Sequence, residues 1–170
     1  MFPNAKALGP SAEGVVELVK VKAVKFLSLH FVQPASLALP QLDRIHCLRL
    51  TQALPTLSNS CLPALRSLHL HLCSSLTDEK LAQLLPALPL LTDLSIFYCH
   101  AVRGKGWLAQ GLCLEALDVR GCDCLPELWT WLRGPASTGL RRLLFSCSRL
   151  DDAIECLGLC FGVELLECRV

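Results

Sequence analysis

The chain has almost no net charge: sixteen Lys and Arg residues stand against fifteen Asp and Glu, leaving +1 over 170 residues. So even a balance gives no long-range pull toward nucleic acid or an anionic membrane surface. Charged residues of either sign are scarce at 18%, and apolar ones reach 52%. That excludes disorder, which needs low hydrophobicity and high charge. Long uninterrupted apolar runs are also missing. The opening stretch MFPNAKALGPSAEG has no apolar core that would serve as a secretory signal. The richest later run, Leu81 to Phe97, is broken by Pro86, Pro89 and Asp93, whereas a membrane span needs about 20 apolar residues in a row. These absences predict a soluble intracellular protein, cytoplasmic or nuclear, with no membrane and no nucleic acid among its partners. The length suits one domain with a sizeable core.

Eleven cysteines are present, an odd number. In a secreted chain that density suggests a disulfide framework. No C-x-x-C pair occurs, and Cys122-x-Cys124 and Cys156-x-x-x-Cys160 lack metal-site spacing. Many of the cysteines fall at fixed places in a recurring frame, so the simpler reading is reduced thiols packed as small hydrophobes.

That frame is LxxLxL. Its first, fourth and sixth places are Val24-Leu27-Leu29, Ile45-Leu48-Leu50, Leu65-Leu68-Leu70, Leu91-Leu94-Ile96, Leu114-Leu117-Val119, Leu140-Leu143-Phe145 and Val163-Leu166-Cys168. Successive copies start 21, 20, 26, 23, 26 and 23 residues apart, inside the roughly 20–29 range of leucine-rich repeats. In a strand the fourth and sixth places share a face, and a unit this small buries its apolar edge only by stacking on its neighbours. The predicted fold is therefore an α/β leucine-rich-repeat solenoid, with parallel strands on a concave face and short helices or extended turns on the convex one. Residues 24–170 form an array of about seven repeats. Residues 1–23 form a cap or degenerate repeat, with Phe2, Ala5 and Ala7 as its frame and a short helix over Val15–Val19 after Ser11.

Between strands, the segments after Val24 and Ile45 carry prolines and serines and read as extended. Thr77 is an N-cap with Asp78 and Glu79 in the first turn, followed by the stripe Leu81, Leu84, Leu85, Leu88 and stopped by Pro86 and Pro89. A helical piece is expected near Trp107–Leu112. Another begins at Pro126, contains Leu128, Trp129 and Leu132, and stops at Gly134-Pro135. On it Trp129 and Trp131 lie about 200° apart, which leaves two readings: both are core, or one is exposed on the convex face or against a neighbour. Asp151 and Asp152 open a last helix with Ile154 and Leu157. The chain stops at Val170 directly after a strand. A solenoid normally carries polar caps, so the expectation is a fragment, a truncated product or an end that docks on something else.

Cysteine stands at the ninth place of three frames, as Cys73, Cys99 and Cys122, with Leu76, Val102 and Leu125 three places on. The run Cys73-Ser-Ser-Leu76-Thr77-Asp78 recurs as Cys147-Ser-Arg-Leu150-Asp151-Asp152, its cysteine one residue early. This resembles the cysteine-containing leucine-rich repeats of F-box proteins and of their mitotic-exit antagonist (AMN-type) relatives without an F-box. The match runs from Val24 to Val170 and departs at Val32 and Ala53, which hold the ninth place in the early units. In that family the F-box binds the adaptor of an SCF-type ubiquitin ligase, while the repeats hold the substrate. The stretch before Val24 is too short for an F-box, so the resemblance implies the substrate-holding part, possible ubiquitin-ligase components as partners, and a buried, turn-bridging role for the ninth-place cysteines.

Outward strand positions should line the partner-binding face. The fifth places include Arg49, His69, Ser95 and Asp118; the seventh include His30, His71, Phe97 and Arg120; the eighth add Phe31, Leu72 and Tyr98. Aromatics and arginines are common interface anchors, and His69, His71, Phe97, Tyr98, Arg120 and Arg142 are the predicted contact patch. His69 and His71 with His30 or His46 lack a completing ligand for zinc. Gly104-Lys105-Gly106 lacks P-loop spacing, and no nucleophile is bracketed by a base and an orienting group. The sequence thus predicts a non-enzymatic recognition protein without cofactor or metal, a substrate receptor or adaptor. The alternative is a scaffold or inhibitor that covers an enzyme, as the cysteine-rich ribonuclease inhibitor does with its longer, alternating repeats.

Overall fold

A computed structural model describes residues 6–8, 25–30, 44–52, 62–122, 125–147, 151, 154 and 162–169, and only the backbone at 6–8, 29–30, 109, 125 and 165–169. The chain is an α/β protein with a single all-parallel sheet and few helices. The strands are β1 (Lys6–Leu8), β2 (Phe26–His30), β3 (Cys47–Thr51), β4 (Ser67–His71), β5 (Asp93–Phe97), β6 (Ala116–Asp118), β7 (Arg142–Ser146) and β8 (Leu165–Arg169), each hydrogen-bonded to the next in chain order.

The register follows the leucines. Leu27, Leu48, Leu68, Leu94, Leu117, Leu143 and Leu166 lie side by side across seven strands. Alternation along β3 and β4 buries Leu48, Leu50, Leu68 and Leu70 completely and leaves their odd-numbered neighbours half-exposed. Burying a leucine side chain is worth about 1.5–3 kcal/mol, so this row drives the assembly of the sheet.

Strands β3 to β7 are entered in the same way. The carbonyl at the second place of a frame accepts two backbone N–H groups from the next frame. Lys25 takes those of His46 and Cys47, His46 those of Arg66 and Ser67, Arg66 those of Thr92 and Asp93, Thr92 those of Glu115 and Ala116, and Glu115 those of Arg141 and Arg142. Backbone groups leaving the sheet therefore stay satisfied.

Helix α1 (Asp78–Leu84) starts where Thr77 Oγ1 accepts the Lys80 N–H at 3.5 Å, as the cap sequence predicts. It passes into a 3₁₀ turn at Leu85–Ala87 with Pro86 inside it. Leu81, Leu85 and Leu88 are buried and Leu84 half-buried. Helix α2 (Leu125–Leu132) ends before a 3₁₀ turn at Pro135–Ser137. No helix among the described residues is long and apolar enough to cross a membrane.

One expectation changes and two are narrowed. The first strand is one residue out of the predicted frame: Lys6 pairs with Leu27 and Leu8 with Leu29, not Ala5 and Ala7. A strand has period two, so this slip exchanges its two faces. The segment near Trp107 is only a 3₁₀ turn, Leu108–Gln110, because Gly111 leaves it in the left-handed region at φ 72°. Neither tryptophan of α2 is exposed. Trp129 packs edge-on against Phe145 at 5.4 Å, and Trp131, also buried, lines a cavity of about 350 Å³ together with Gly104, Gly106 and Leu108. The helix is sandwiched, so an angular separation on its surface does not bring either ring to solvent. The helix after Ser11, most of the two proline-bearing connections and Leu157 lie outside the described residues; Asp151 and Ile154 are helical.

Candidate functional site

Parallel strands in this register set their fifth and seventh places next to one another on the face away from the core. Four aromatic or imidazole rings therefore meet across β4 and β5. His69 and His71 sit edge-to-face at 6.1 Å, His71 lies 5.6 Å from Phe97, and Phe97 stands perpendicular to Tyr98 at 4.6 Å. The Arg120 guanidinium covers the Phe97 ring at 5.1 Å, a cation–π contact. Of the six predicted patch residues, His69, His71, Phe97, Arg120 and Arg142 border one depression of about 300 Å³. Tyr98 lies beside it, 44% exposed.

Two arginines of the depression are paired with carboxylates. Asp118 takes the Arg120 Nη2 at 2.7 Å and Nε at 2.9 Å, a two-pronged pair that aims the guanidinium over Phe97. Asp93 takes the Arg142 Nη2 at 2.8 Å. Burial, and then the nearby Arg49 charge, hold His69 and His71 below the ordinary imidazole pKa, so both rings are neutral at pH 7. Ser67 Oγ is 2.9 Å from His69 Nε2, and Ser95 Oγ is 3.4 Å from that of His71.

The edge of this face is built from backbone that L-residues rarely adopt. The eighth places Gln52, Leu72, Tyr98 and Gly121 have φ of 69°, 54°, 52° and 73°. For a leucine or tyrosine this conformation costs about 1–2 kcal/mol, and it turns Leu72 (48% exposed) and Tyr98 into solvent. Gly121 supports Tyr98 from beneath: a Cβ there would stand 2.7 Å from Tyr98 Cδ1 and 3.1 Å from its Cα. Gly121→Ala is expected to cost about 2–4 kcal/mol, from left-handed strain plus the overlap with tyrosine backbone. Urea denaturation measures it, and a loss under about 0.5 kcal/mol would refute the packing.

Ser95 and Asp118 stand at outward fifth places in the sequence pattern but were not in the predicted contact patch, and neither were Asp93 and Gly121, although they fix the arginines, a histidine and Tyr98. Asp93 lies two strands from Arg142, so no single strand pairing announces their contact. Side chains of His30, Phe31, Glu167 and Arg169 lie outside the described residues, and His46 is exposed before β3. Among the described residues, no three His, Cys, Asp or Glu side chains are grouped to hold a metal ion.

The ninth-place thiols point inward. Cys73, Cys99 and Cys122 are buried, and their sulfurs reach the sixth-place carbonyls of the preceding strand, Leu50 at 3.9 Å, Leu70 at 3.5 Å and Ile96 at 3.2 Å. Burial pushes the Cys122 thiol up to about 12, and the adjoining Cys99 thiol together with burial raises Cys73, so neither is a nucleophile near neutral pH. Cys47, Cys73, Cys99, Cys113, Cys122 and Cys147 are in no disulfide.

Comparison with protein-family models, curated proteins and solved structures finds no match to this chain.

Proposed function

We propose that the chain is a leucine-rich-repeat solenoid of the cysteine-containing type, and that it acts without catalysis by holding a protein partner on the sheet face centred on Phe97. The observation that carries the reading is the juxtaposition of His69, His71, Phe97, Tyr98 and Arg120 in one contiguous patch, with Leu72 and Tyr98 held outward on strained backbone. Strain of this kind concentrates at sites of function, and aromatics with arginine dominate binding hot spots. The seven-strand leucine register and the thiol-to-carbonyl contacts of neighbouring turns support the solenoid.

Within that reading the chain is a substrate receptor or adaptor, resembling the repeat portion of F-box proteins in ubiquitin ligases, and its compartment is the cytoplasm or nucleus. Affinity purification of the intact protein should recover ligase adaptor, cullin or a ubiquitylated client, and recovery of none of them removes the ligase version. A partner enzyme silenced on binding would favour the scaffold or inhibitor alternative. The patch has its own test. Replacing both His69 and His71 by alanine should leave the circular dichroism spectrum and melting temperature unchanged while weakening partner binding on the order of tenfold or more. Unfolding of the double variant would show that these side chains belong to the core.

A further inference from the structure

Three guanidinium groups border the depression, and two have carboxylate partners: Arg120 with Asp118 and Arg142 with Asp93. Arg49 differs. Among the described residues its guanidinium has no hydrogen bond or ion pair, and its Nε is buried without an acceptor. A half-buried cation without a counter-ion costs folding free energy that an arriving anion returns. Arg49 lies on β3 in register with His69 of β4, at the side of the depression that carries the two histidines.

We propose that Arg49 is the seat for a carboxylate of the docked partner, an aspartate, a glutamate or a chain end, placed beside an apolar side chain that meets Phe97. The proposal rests on reading this face as protein-binding and names what the partner must present. A guanidinium takes a carboxylate through two parallel N–H bonds. The local charge count also favours one carboxylate over a polyanion: Arg49, Arg120 and Arg142 against Asp93 and Asp118 leave a single positive charge. A phosphodiester strand along the same face would meet both aspartates. The neutral histidines beside Arg49 add hydrogen-bonding capacity without adding charge.

The test uses a displayed random-peptide library panned against the full chain. Selected peptides are then measured by fluorescence anisotropy on the wild type and on Arg49→Gln, Arg49→Lys and Phe97→Ala. Peptides selected on the wild type should be enriched in aspartate or glutamate. Arg49→Gln should weaken them on the order of tenfold, as for loss of a charge-assisted bond, and Arg49→Lys less. Changing the peptide's acid to its amide should give the same loss on the wild type, an arm that holds even if the protein variant does not fold, and on folded Arg49→Gln it should bring no further loss. Peptides weakened by Phe97→Ala but indifferent to Arg49→Gln and to their own acids overturn the carboxylate seat and leave the protein-binding face standing. A library yielding no peptide sensitive to Phe97→Ala or to the double histidine variant overturns both. A labelled oligothymidylate that binds the wild type and is released by Arg49→Gln overturns the choice of a protein carboxylate.

Discussion

Leu68→Asp is expected to abolish the folded state. Leu68 is fully buried at the centre of β4, flanked in register by Leu48 and Leu94. The substitution removes about 1.5–3 kcal/mol of apolar burial. It also places a carboxyl where no described polar side chain lies among its strand neighbours, costing several kcal/mol more even if the group takes up a proton. A domain typically has only about 5–15 kcal/mol in total, and in a sheet whose strands pair only with their chain neighbours the break divides the structure in the middle. Leu68→Ala should cost about 2–5 kcal/mol. The informative control is one residue away: His69→Ala, on the opposite face, should shift the urea midpoint little. Far-ultraviolet circular dichroism with urea titration reads all three. A Leu68→Asp variant within about 1 kcal/mol of wild type would mean that the strand faces are assigned the wrong way round.

That parity argument also shows why the sheet could be read so fully from residues. Seven frames each put apolar residues at the fourth and sixth places, and a one-residue slip would have exposed all of them. β1 had no such protection. Its short stretch offers Ala5 and Ala7 on one parity and Lys6 and Leu8 on the other, so composition did not choose, and the backbone pairs Lys6 with Leu27. The patch residues were legible for the same reason as the core, since they are the complement of the buried places. What residue types do not announce is backbone in the left-handed region at Leu72 and Tyr98, where neither side chain is at home. The pair of tryptophans left two readings open because helix geometry gives an angle between two rings but not what lies on either side of them.

Asp78→Ala is expected to be the most damaging substitution of a charged residue, at about 3–5 kcal/mol. The sequence places Asp78 in the first turn of a helix, where an acid improves stability by about 0.3–1 kcal/mol through the helix dipole. The structure gives it a larger task. Asp78 is 7% exposed, and Oδ1 accepts the N–H groups of Arg103 and Gly104, each at 3.0 Å, and the Trp107 Nε1–H at 2.9 Å, while Oδ2 lies 3.2 Å from the Arg103 nitrogen. These donors come from the next turn of the chain, and Trp107 is fully buried, so one carboxylate ties α1 to the loop after β5. Hydrogen bonds to a charged group contribute about 1.5–3 kcal/mol each, and truncation leaves the buried donors of Gly104 and Trp107 unsatisfied, with that of Arg103 beside them. Asp78→Asn separates the contributions: an amide oxygen at the Oδ1 position retains three of the four contacts, so a loss of only about 1–2 kcal/mol is expected. Equilibrium urea unfolding of both variants decides between the two roles. If alanine costs no more than about 1 kcal/mol, the residue is acting on the helix dipole alone. If alanine and asparagine are equally damaging, the charge matters more than the acceptor geometry. The sequence offered Asp78 only as a first-turn acid, because nothing in residue types shows which donors of the following loop will face its carboxylate.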